Sequence, residues 1–409
     1  MSISFRLAWR NLWRHPRRTW LTVGAMVFAN IILVFLISLQ VGMYGMMINN
    51  SLRAQTGHLQ VQAPGYKDDH KIRQVVPNVI GLAAELRSGL GTSEVAARAS
   101  AFVLASSAER TYGLQVTGVD PEFESQVSSL PGLVKEGRFL GDMYASEIVI
   151  GTVLARNLQV EVGDELTFLG SGLDGSFAAA VVTLVGIFDS GVSDVDRGFA
   201  EVPLGFFQET FAMGTAGHAV VIMAPDLLRV GTVQSSAAAL LPTGEDLVIH
   251  DWDALLPGLK QAIQADFTSA WFMYAILVVL VAFSVLNTQL MSVLERTKEF
   301  GIVMSLGVTP KRLGRMVMLE TTLMGALGML LGVLIGGALV LWLNQTGFSY
   351  PELEEMAGKF NLPGRIYPQV SAIGLLLGPF VVLASSIVAS LYPAIRLRWL
   401  EPVAAMRAA

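Results

Sequence analysis

Residues that could perform chemistry are few in this sequence, and they do not combine into a catalytic or metal-binding arrangement. There is no G-x-x-x-x-G-K-[ST] loop for nucleotide phosphates, and no serine lies in a G-x-S-x-G turn. The histidines lack the H-x-x-x-H spacing that places two metal ligands on one helix face: His15, His58, His70, His218 and His250. Residues 250–253 are better explained as a solvated loop than as a metal site. We therefore predict no catalytic residue, metal or cofactor in this chain, and any ATP with its Mg²⁺ would bind a separate chain.

One acidic residue lies at the edge of a long apolar interval. Glu320 follows the basic residues Lys311, Arg312 and Arg315 and precedes 31 residues without charge. An acid inside a membrane suggests a functional role, such as proton relay. Arg315 lies about one helical turn before Glu320, so an interfacial ion pair between these two side chains is the favoured interpretation.

Residues 295–313 have the pattern of a short helix between two longer ones. Charged side chains come first, followed by three apolar ones at the i, i+3, i+4 spacing of a helical stripe: Glu295, Lys298 and Glu299, then Phe300, Val303 and Met304. Gly307 suits the position after a helix, Thr309 the cap of the next helix and Pro310 its first turn. The stripe predicts an exposed apolar surface that a soluble partner would bury. A tight interfacial turn is the alternative.

The elements that position these residues follow from the distribution of charge. The 409 residues are 53% hydrophobic and only 15% charged, whereas soluble domains contain about 25% charged residues. Four intervals without Asp, Glu, Lys or Arg contain 34, 28, 31 and 30 residues: 19–52, 267–294, 321–351 and 366–395. About 20 apolar residues span a bilayer, so each interval predicts a transmembrane helix. This pattern excludes a nucleic-acid binder and a purely soluble fold, and the absence of cysteine excludes a disulfide scaffold.

The positive-inside rule orients these helices. Five arginines and no acid precede the first span, and further basic clusters follow spans two and four. Residues 44–267 instead carry 13 basic and 26 acidic side chains, a net charge of −13. We therefore expect cytoplasmic termini and an outer domain of 224 residues.

The predicted fold is a four-helix membrane protein with a large α+β extracytoplasmic domain inserted between helices 1 and 2. The α+β class follows from mixed strand-like and helical runs, and two subdomains are a further alternative. The segments in chain order are an amphipathic N-terminal helix (1–19), TM1 (20–48), the outer domain (49–266), TM2 (267–294), the cytoplasmic connection (295–313), TM3 (314–343), a short outer loop (344–370), TM4 (371–393) and a cytoplasmic tail (394–409). Within the outer domain we expect strands at 58–62, 101–104, 113–119, 147–150, 165–169, 180–188 and 219–223.

Two helices carry further patterns. Near the N-terminus, Arg6, Arg10 and Arg14 form a basic stripe beside apolar residues, which predicts an interfacial helix that Pro16 ends. A simple topogenic arginine cluster is the alternative. In TM3, Gly328, Gly332 and Gly336 form a small-xxx-small series that favours close helix packing over a pore lining.

The ordered motifs resemble those of FtsX-like permeases of the MacB and Lol type of ABC transporter. The similar segments are 8–12 with 17–19, 118–121, 137–139, 150–164, 295–313, 392–394, 401–403 and 406–407. The resemblance extends over essentially the whole chain, and it implies a permease in the bacterial inner membrane with a MacB-type periplasmic core domain. Such permeases dimerise with a second copy or a paralogue and pair with two copies of a separate ATPase.

The resemblance also assigns the connection 295–313 as the coupling loop seated on that ATPase. The implied coupling residues are Glu295, Lys298, Glu299, Phe300, Gly301, Val303, Met304, Gly307, Pro310 and Lys311. ATP-driven closure of the ATPases would pass through long extensions of spans one and two, so the chain itself would be a transporter subunit and not an enzyme.

The resemblance leaves three functions open. Lol-type permeases extract lipoproteins from the outer leaflet and pass them to a periplasmic carrier, MacB-type permeases export small molecules or peptides, and regulatory FtsX-like permeases signal to a cell-wall enzyme. The absence of a fused ATPase domain and the segments 250–259 and 360–368 favour the Lol type. A lipid-handling site would then lie near the outer ends of spans one and two, at Met43, Tyr44, Met46, Met47 and Ile48 facing Phe267, Trp271, Phe272 and Tyr274. Ordinary span-end packing with aromatic belts is the alternative.

Overall fold

The computed structural model of this chain describes residues 3–108, 110–242, 244–351 and 364–399. These residues divide into a helical unit, within 1–44, 262–349 and 365–409, and a sheet unit, within 45–261 and 350–364. The first four residues of the predicted loop motif 360–368 and the closing motifs at 401–403 and 406–407 lie outside the described residues.

The α-helices in chain order are α1 (Ile3–Leu12), α2 (Pro16–Ser51), α3 (Tyr66–Asp69), α4 (Val79–Leu90), α5 (Pro121–Val127), α6 (Thr152–Leu158), α7 (Ser193–Gly198), α8 (Leu204–Thr210), α9 (Val230–Leu240), α10 (Trp252–Leu255), α11 (Pro257–Glu295), α12 (Thr297–Ser305), α13 (Pro310–Thr346) and α14 (Ala372–Arg396). The strands are β1 (Leu59–Gln62), β2 (Val95–Ser106), β3 (Thr111–Val119), β4 (Val134–Gly137), β5 (Glu147–Gly151), β6 (Glu165–Ser171), β7 (Phe177–Phe188), β8 (Phe199–Pro203), β9 (Ala219–Ile222) and β10 (Val248–Asp251).

Four of the described helices are long and apolar enough to cross a membrane: α2, α11, α13 and α14. They correspond to the four predicted spans and extend beyond most of the predicted ends. α2 and α11 contain 36 and 39 residues, which at about 1.5 Å per residue exceeds the 30 Å of hydrocarbon. Charge-free intervals therefore locate the spans, but the helices are longer than the intervals predict.

The N-terminal helix is shorter than predicted. α1 ends at Leu12, and Pro16 begins α2 instead of ending α1. Proline is tolerated in the first turn of a helix because the N–H that it lacks would have no partner there. The Thr19 hydroxyl donates a hydrogen bond of 2.6 Å to the Leu12 carbonyl and so joins the two helices.

The sheet unit contains one mixed sheet of ten strands instead of two subdomains. The strand order is β10-β1-β9-β2-β3-β8-β5-β7-β4, and β6 pairs with β2 and β7. β3–β8 and β5–β7 are parallel, and the other pairs are antiparallel. The main hydrophobic core packs against this sheet, including Val95, Phe168 and Phe207.

Sequence patterns identified seven strands and missed β4, β8 and β10. The three missed strands have four or five residues each. β10 also corrects the predicted solvated loop at residues 250–253, since His250 pairs with Gln60 of β1 and the Asp251 carboxylate caps α10. A helix begins at Trp252, but α10 ends at Leu255 and Pro257 starts a new helix, α11.

Two of the motifs behind the family resemblance have clear backbone roles. The Asp120 carboxylate accepts a hydrogen bond of 3.2 Å from the Glu122 N–H and caps α5, with Pro121 in its first turn. Gly137 has φ +75°, and a Cβ there would overlap the Val185 carbonyl oxygen. Both positions therefore require these residue types for local geometry.

The glycine series of α13 lies against α2. A Cβ at Gly328 would be 2.8 Å from the Met26 Cβ, and one at Gly336 would be 3.2 Å from the Val34 Cβ. At Gly332 an added Cβ would overlap the Cβ of Asn30. The Asn30 amide donates a hydrogen bond of 3.1 Å to the Gly328 carbonyl. The series therefore acts within this one bundle, where it lets the two backbones approach closely.

Replacement of Gly332 by alanine should lower the free energy of unfolding by about 1–3 kcal/mol, because the added methyl group overpacks the α2–α13 contact. Gly337→Ala is the matched control on the same helix, since a Cβ there would lie 3.6 Å from Leu375, an ordinary contact. Thermal unfolding of the detergent-solubilised chain measures both changes. Equal stability of the two variants would contradict the close approach.

Candidate functional site

Aromatic residues predicted near the cargo lie at one end of α2 and α11. The Tyr44 and Phe267 rings are 6.4 Å apart, and the Phe267–Trp271 and Trp271–Tyr274 pairs are 5.9 Å and 6.4 Å apart. Phe272 points away from this cluster and is 72% exposed. Adjacent aromatic residues on a helix cannot share one face, so the prediction combined two surfaces of α11.

The methionines predicted beside these rings divide between the two units. Met43 is half-buried in the helical unit, whereas Met46, Met47 and Ile48 belong to the sheet unit. In that unit Met47 is exposed and Ile48 is buried.

A chain of hydrogen bonds joins the same ends of α2 and α11. The Tyr274 hydroxyl donates to Gln40 Oε1 at 2.8 Å, Gln40 Nε2 donates to the Tyr44 hydroxyl at 2.6 Å, and that hydroxyl donates to Asp266 Oδ2 at 2.5 Å. Tyr44 and Tyr274 are buried. Sequence analysis missed Gln40, although a glutamine inside a charge-free interval was the available signal.

An apolar cavity of about 210 Å³ lies between α2, α11 and α14. Aliphatic and aromatic side chains from all three helices line it: Leu33, Ile37, Trp271, Tyr274, Ala275, Val278, Val279, Leu377, Gly378 and Val381. Gly378 lets α14 lie close to α2, because a Cβ there would be 2.8 Å from the Leu33 Cβ. Burial of each methylene group contributes about 0.8 kcal/mol, so this cavity can bind part of an acyl chain. Sequence analysis did not assign α14 to this cavity, although Gly374 and Gly378, four residues apart, were the available signal for the face that meets α2.

The predicted coupling helix is present as α12, but its apolar stripe faces inward. Phe300 and Met304 are 2% and 9% exposed, and Val303 is half-buried beside them. They pack against residues of α11, α13 and the turn after α14: Val293, Leu313, Val317 and Leu397. The prediction that this stripe forms an exposed docking surface is therefore wrong. An i, i+3, i+4 pattern identifies a buried face but does not say whether a partner or the same chain covers it.

The exposed face of α12 carries different apolar residues. Ile302 is 50% exposed, and Leu306, at the end of the helix, is 79% exposed. Five of the ten predicted coupling residues are exposed, namely Glu295, Lys298, Glu299, Gly307 and Lys311, whereas Phe300, Gly301 and Met304 are buried and Val303 and Pro310 are half-buried. Gly307 has φ +92° directly after the helix, and Thr309 and Pro310 begin α13, as the spacing predicted.

Glu320 forms an ion pair, but its partner is not Arg315. Arg296 Nη1 lies 3.2 Å from both carboxylate oxygens of Glu320, and Asn11 Nδ2 donates to Glu320 Oε1 at 2.8 Å. Arg315 is exposed, whereas Glu320 is buried. The predicted local pair is therefore wrong, because the buried carboxylate takes its partner from a segment 24 residues away.

Two family models match the chain. The MacB-like periplasmic core domain matches residues 19–240, and the FtsX-like permease C-terminal domain matches residues 271–402. The first match covers more than half of the sequence. The chain belongs to this family of FtsX-like permeases.

The permease is similar to curated lipoprotein-releasing proteins. It is 28% identical to the lipoprotein-releasing system transmembrane protein LolC of Xylella fastidiosa over 316 residues, which covers 73% of this chain and 74% of LolC. It is 26% identical to LolE of Haemophilus influenzae over 301 residues, 71% of each chain. Among solved structures, the periplasmic region of MacB from Actinobacillus actinomycetemcomitans aligns with 15% identity and a TM-score of 0.36, covering 52% of this chain and 94% of that one.

Membership of this family confirms the predicted architecture. The protein is an ABC transporter permease, a membrane protein with four candidate spans and a periplasmic domain between the first and second. Permeases of this kind are not themselves enzymes, and membership implies an ATPase partner.

Replacement of Gln40 by leucine should lower the free energy of unfolding of this permease by about 1–3 kcal/mol, because the buried Tyr44 and Tyr274 hydroxyls each lose a partner. Thr268→Val is the control, since that exposed hydroxyl bonds only the Gln264 carbonyl of its own helix. Thermal unfolding in detergent compares the two variants. A Gln40→Leu chain as stable as the control would show that the hydrogen-bond chain does not stabilise the α2–α11 contact.

Proposed function

We propose that this chain is the permease subunit of an ATP-driven ABC transporter that extracts lipoproteins, or lipid-like cargo, from the outer leaflet of the bacterial inner membrane. The observation that carries the proposal is the apolar cavity between α2, α11 and α14. Similarity to LolC and LolE over more than two thirds of the chain supports the same cargo class.

The proposed assembly contains two permease chains, two ATPase subunits and, on the periplasmic side, a carrier or adaptor protein. In this proposal both termini and α12 are cytoplasmic, in line with the arginines of the N-terminal segment. α12 would contact the ATPase through Ile302 and Leu306, the exposed apolar side chains that charged residues surround. The second permease chain is either another copy or a paralogue.

The proposed mechanism transmits ATP-driven movement through α2 and α11. Both helices are longer than a bilayer requires, so they can carry motion between α12 and the cavity. ATP shifts the permease between two conformations only if its ATPase binds them with different affinity. The cavity would hold acyl chains in one conformation and release them in the other, without a continuous channel.

The cargo proposal predicts that Ala275→Trp abolishes lipoprotein release, because the indole fills the cavity. Ile276→Trp is the matched control, since Ile276 is the next residue of α11 and does not line the cavity. Each variant would replace the wild-type chain in a depletion strain, and inner-membrane retention of lipoproteins would be measured. Drug sensitivity without retention would instead indicate MacB-type export, and a septation defect without retention would indicate a regulatory permease.

The coupling proposal predicts that the double substitution Ile302→Glu with Leu306→Glu weakens ATPase binding at least tenfold, because it removes two exposed apolar contacts. The conservative pair Ile302→Leu with Leu306→Met keeps apolar side chains and should bind normally. Co-purification of the full-length permease with its ATPase measures both. Normal binding of the charged variant would place the contact elsewhere.

A further inference from the structure

Two polar segments of the helical unit meet beside α12. Arg18 Nη2 donates to the Ser292 hydroxyl at 2.7 Å, and Arg18 Nη1 lies 2.8 Å from Glu295 Oε2. Arg14 Nη1 lies 3.6 Å from Glu299 Oε2. The start of α2 and the segment before it therefore contact the end of α11 and the start of α12.

Glu320 of α13 lies at the centre of these contacts. Its side chain is 6% exposed, and that of its partner Arg296 is 12% exposed. Arg296 is the residue between α11 and α12, with φ −96° and ψ 8°, and its guanidinium also lies 4.9 Å from the centroid of the Phe300 ring. The Glu320 carboxylate of α13 thus contacts two other parts of the helical unit: Asn11 of α1 and Arg296 at the α11–α12 junction.

The Glu320–Arg296 ion pair is more buried than the Arg14–Glu299 and Arg18–Glu295 pairs. A buried carboxylate without its cationic partner carries a large desolvation penalty, so Glu320 and Arg296 constrain each other strongly. Glu299 lies 3.6 Å from Arg14 Nη1 and also 3.6 Å from Arg296 Nε, but its side chain is 51% exposed, and ion pairs of an exposed carboxylate contribute little. The position of α12 relative to α13 and α1 therefore depends on Glu320 far more than on Glu299.

We propose that Glu320 is a positioning residue that fastens the α11–α12 junction to α13 and α1, so that displacement of α12 moves these helices together. This inference rests on the proposed function for its role in coupling, but the attachment itself is a property of the permease alone. It assigns Glu320 a structural role, in place of the proton relay that its sequence position allowed.

The attachment can be measured without an ATPase. Hydrogen exchange of the α12 amides should be about tenfold faster in Glu320→Gln than in the wild-type chain, both in nanodiscs. The reason is that the neutral amide lacks the ionic attraction of the carboxylate to the Arg296 guanidinium. Glu299→Gln is the matched control on α12 and should change exchange less than about twofold. Glu320→Asp keeps a carboxylate, so its α12 exchange rate should lie between those of the wild-type chain and Glu320→Gln. It replaces Glu320→Gln if that variant does not fold.

The coupling role is measured with the ATPase in proteoliposomes. Glu320→Gln should lower lipoprotein released per ATP hydrolysed about tenfold while ATPase binding and hydrolysis continue. Arg296→Lys, made in the chain that keeps Glu320, retains a cation beside the carboxylate. It should therefore keep most of the wild-type ratio of lipoprotein released per ATP hydrolysed, which loss of stability alone would not predict.

The outcomes separate the two proposals. Unchanged α12 exchange in both Glu320 variants, or equal effects of Glu320→Gln and Glu299→Gln, would overturn the positioning role. Faster exchange with an unchanged release ratio would overturn the coupling role. If the wild-type chain releases no lipoprotein, the proposed function fails, while the exchange result still decides the attachment.

Discussion

The cost of an unpaired polar group in hydrocarbon constrains the four long helices of this structure. Every charged residue of these helices lies within about three turns of a helix end, and the buried Gln40 and Glu320 side chains have hydrogen-bond partners, whereas Asn30 Oδ1 and Ser38 Oγ are buried without one among the described residues. An unsatisfied group in the membrane costs several kcal/mol, so these partners are a condition for insertion as well as for function. The apolar cavity between α2, α11 and α14 is one part of the interior of the helical unit that side chains do not fill.

Close packing complements this constraint. α13 approaches α2 along three glycines, where a larger residue would push the backbones apart. In lipid there is little hydrophobic gain from helix association, so such contacts depend on van der Waals packing over small residues. The Asn30–Gly328 hydrogen bond is available because the backbones are this close.

The sequence predicted what depends on composition and local geometry. Charge-free intervals located the four helices, glycine and proline located the turn between α12 and α13, and alternation located the longer strands. It failed where the answer depends on which surfaces meet: Phe300 and Met304 pack inside the chain, Arg296 replaces Arg315 as the partner of Glu320, and α14 supplies a wall of the cavity. The periodic signal of a helix gives the side on which residues lie but not the identity of their neighbours.

Two polar contacts between α2 and α11 have a mechanical consequence. Arg18 and Glu295 join the helices at one end, and Tyr44 and Asp266 join them at the other. Arg18 and Tyr44 are 26 positions apart on α2, which corresponds to about 39 Å at 1.5 Å per residue. The hydrogen bond of the buried Tyr44 hydroxyl and the part-exposed Arg18–Glu295 pair both oppose sliding of one helix past the other. In the proposed mechanism, a displacement at the Arg18 end would therefore reach the Tyr44 end by a joint tilt of the two helices.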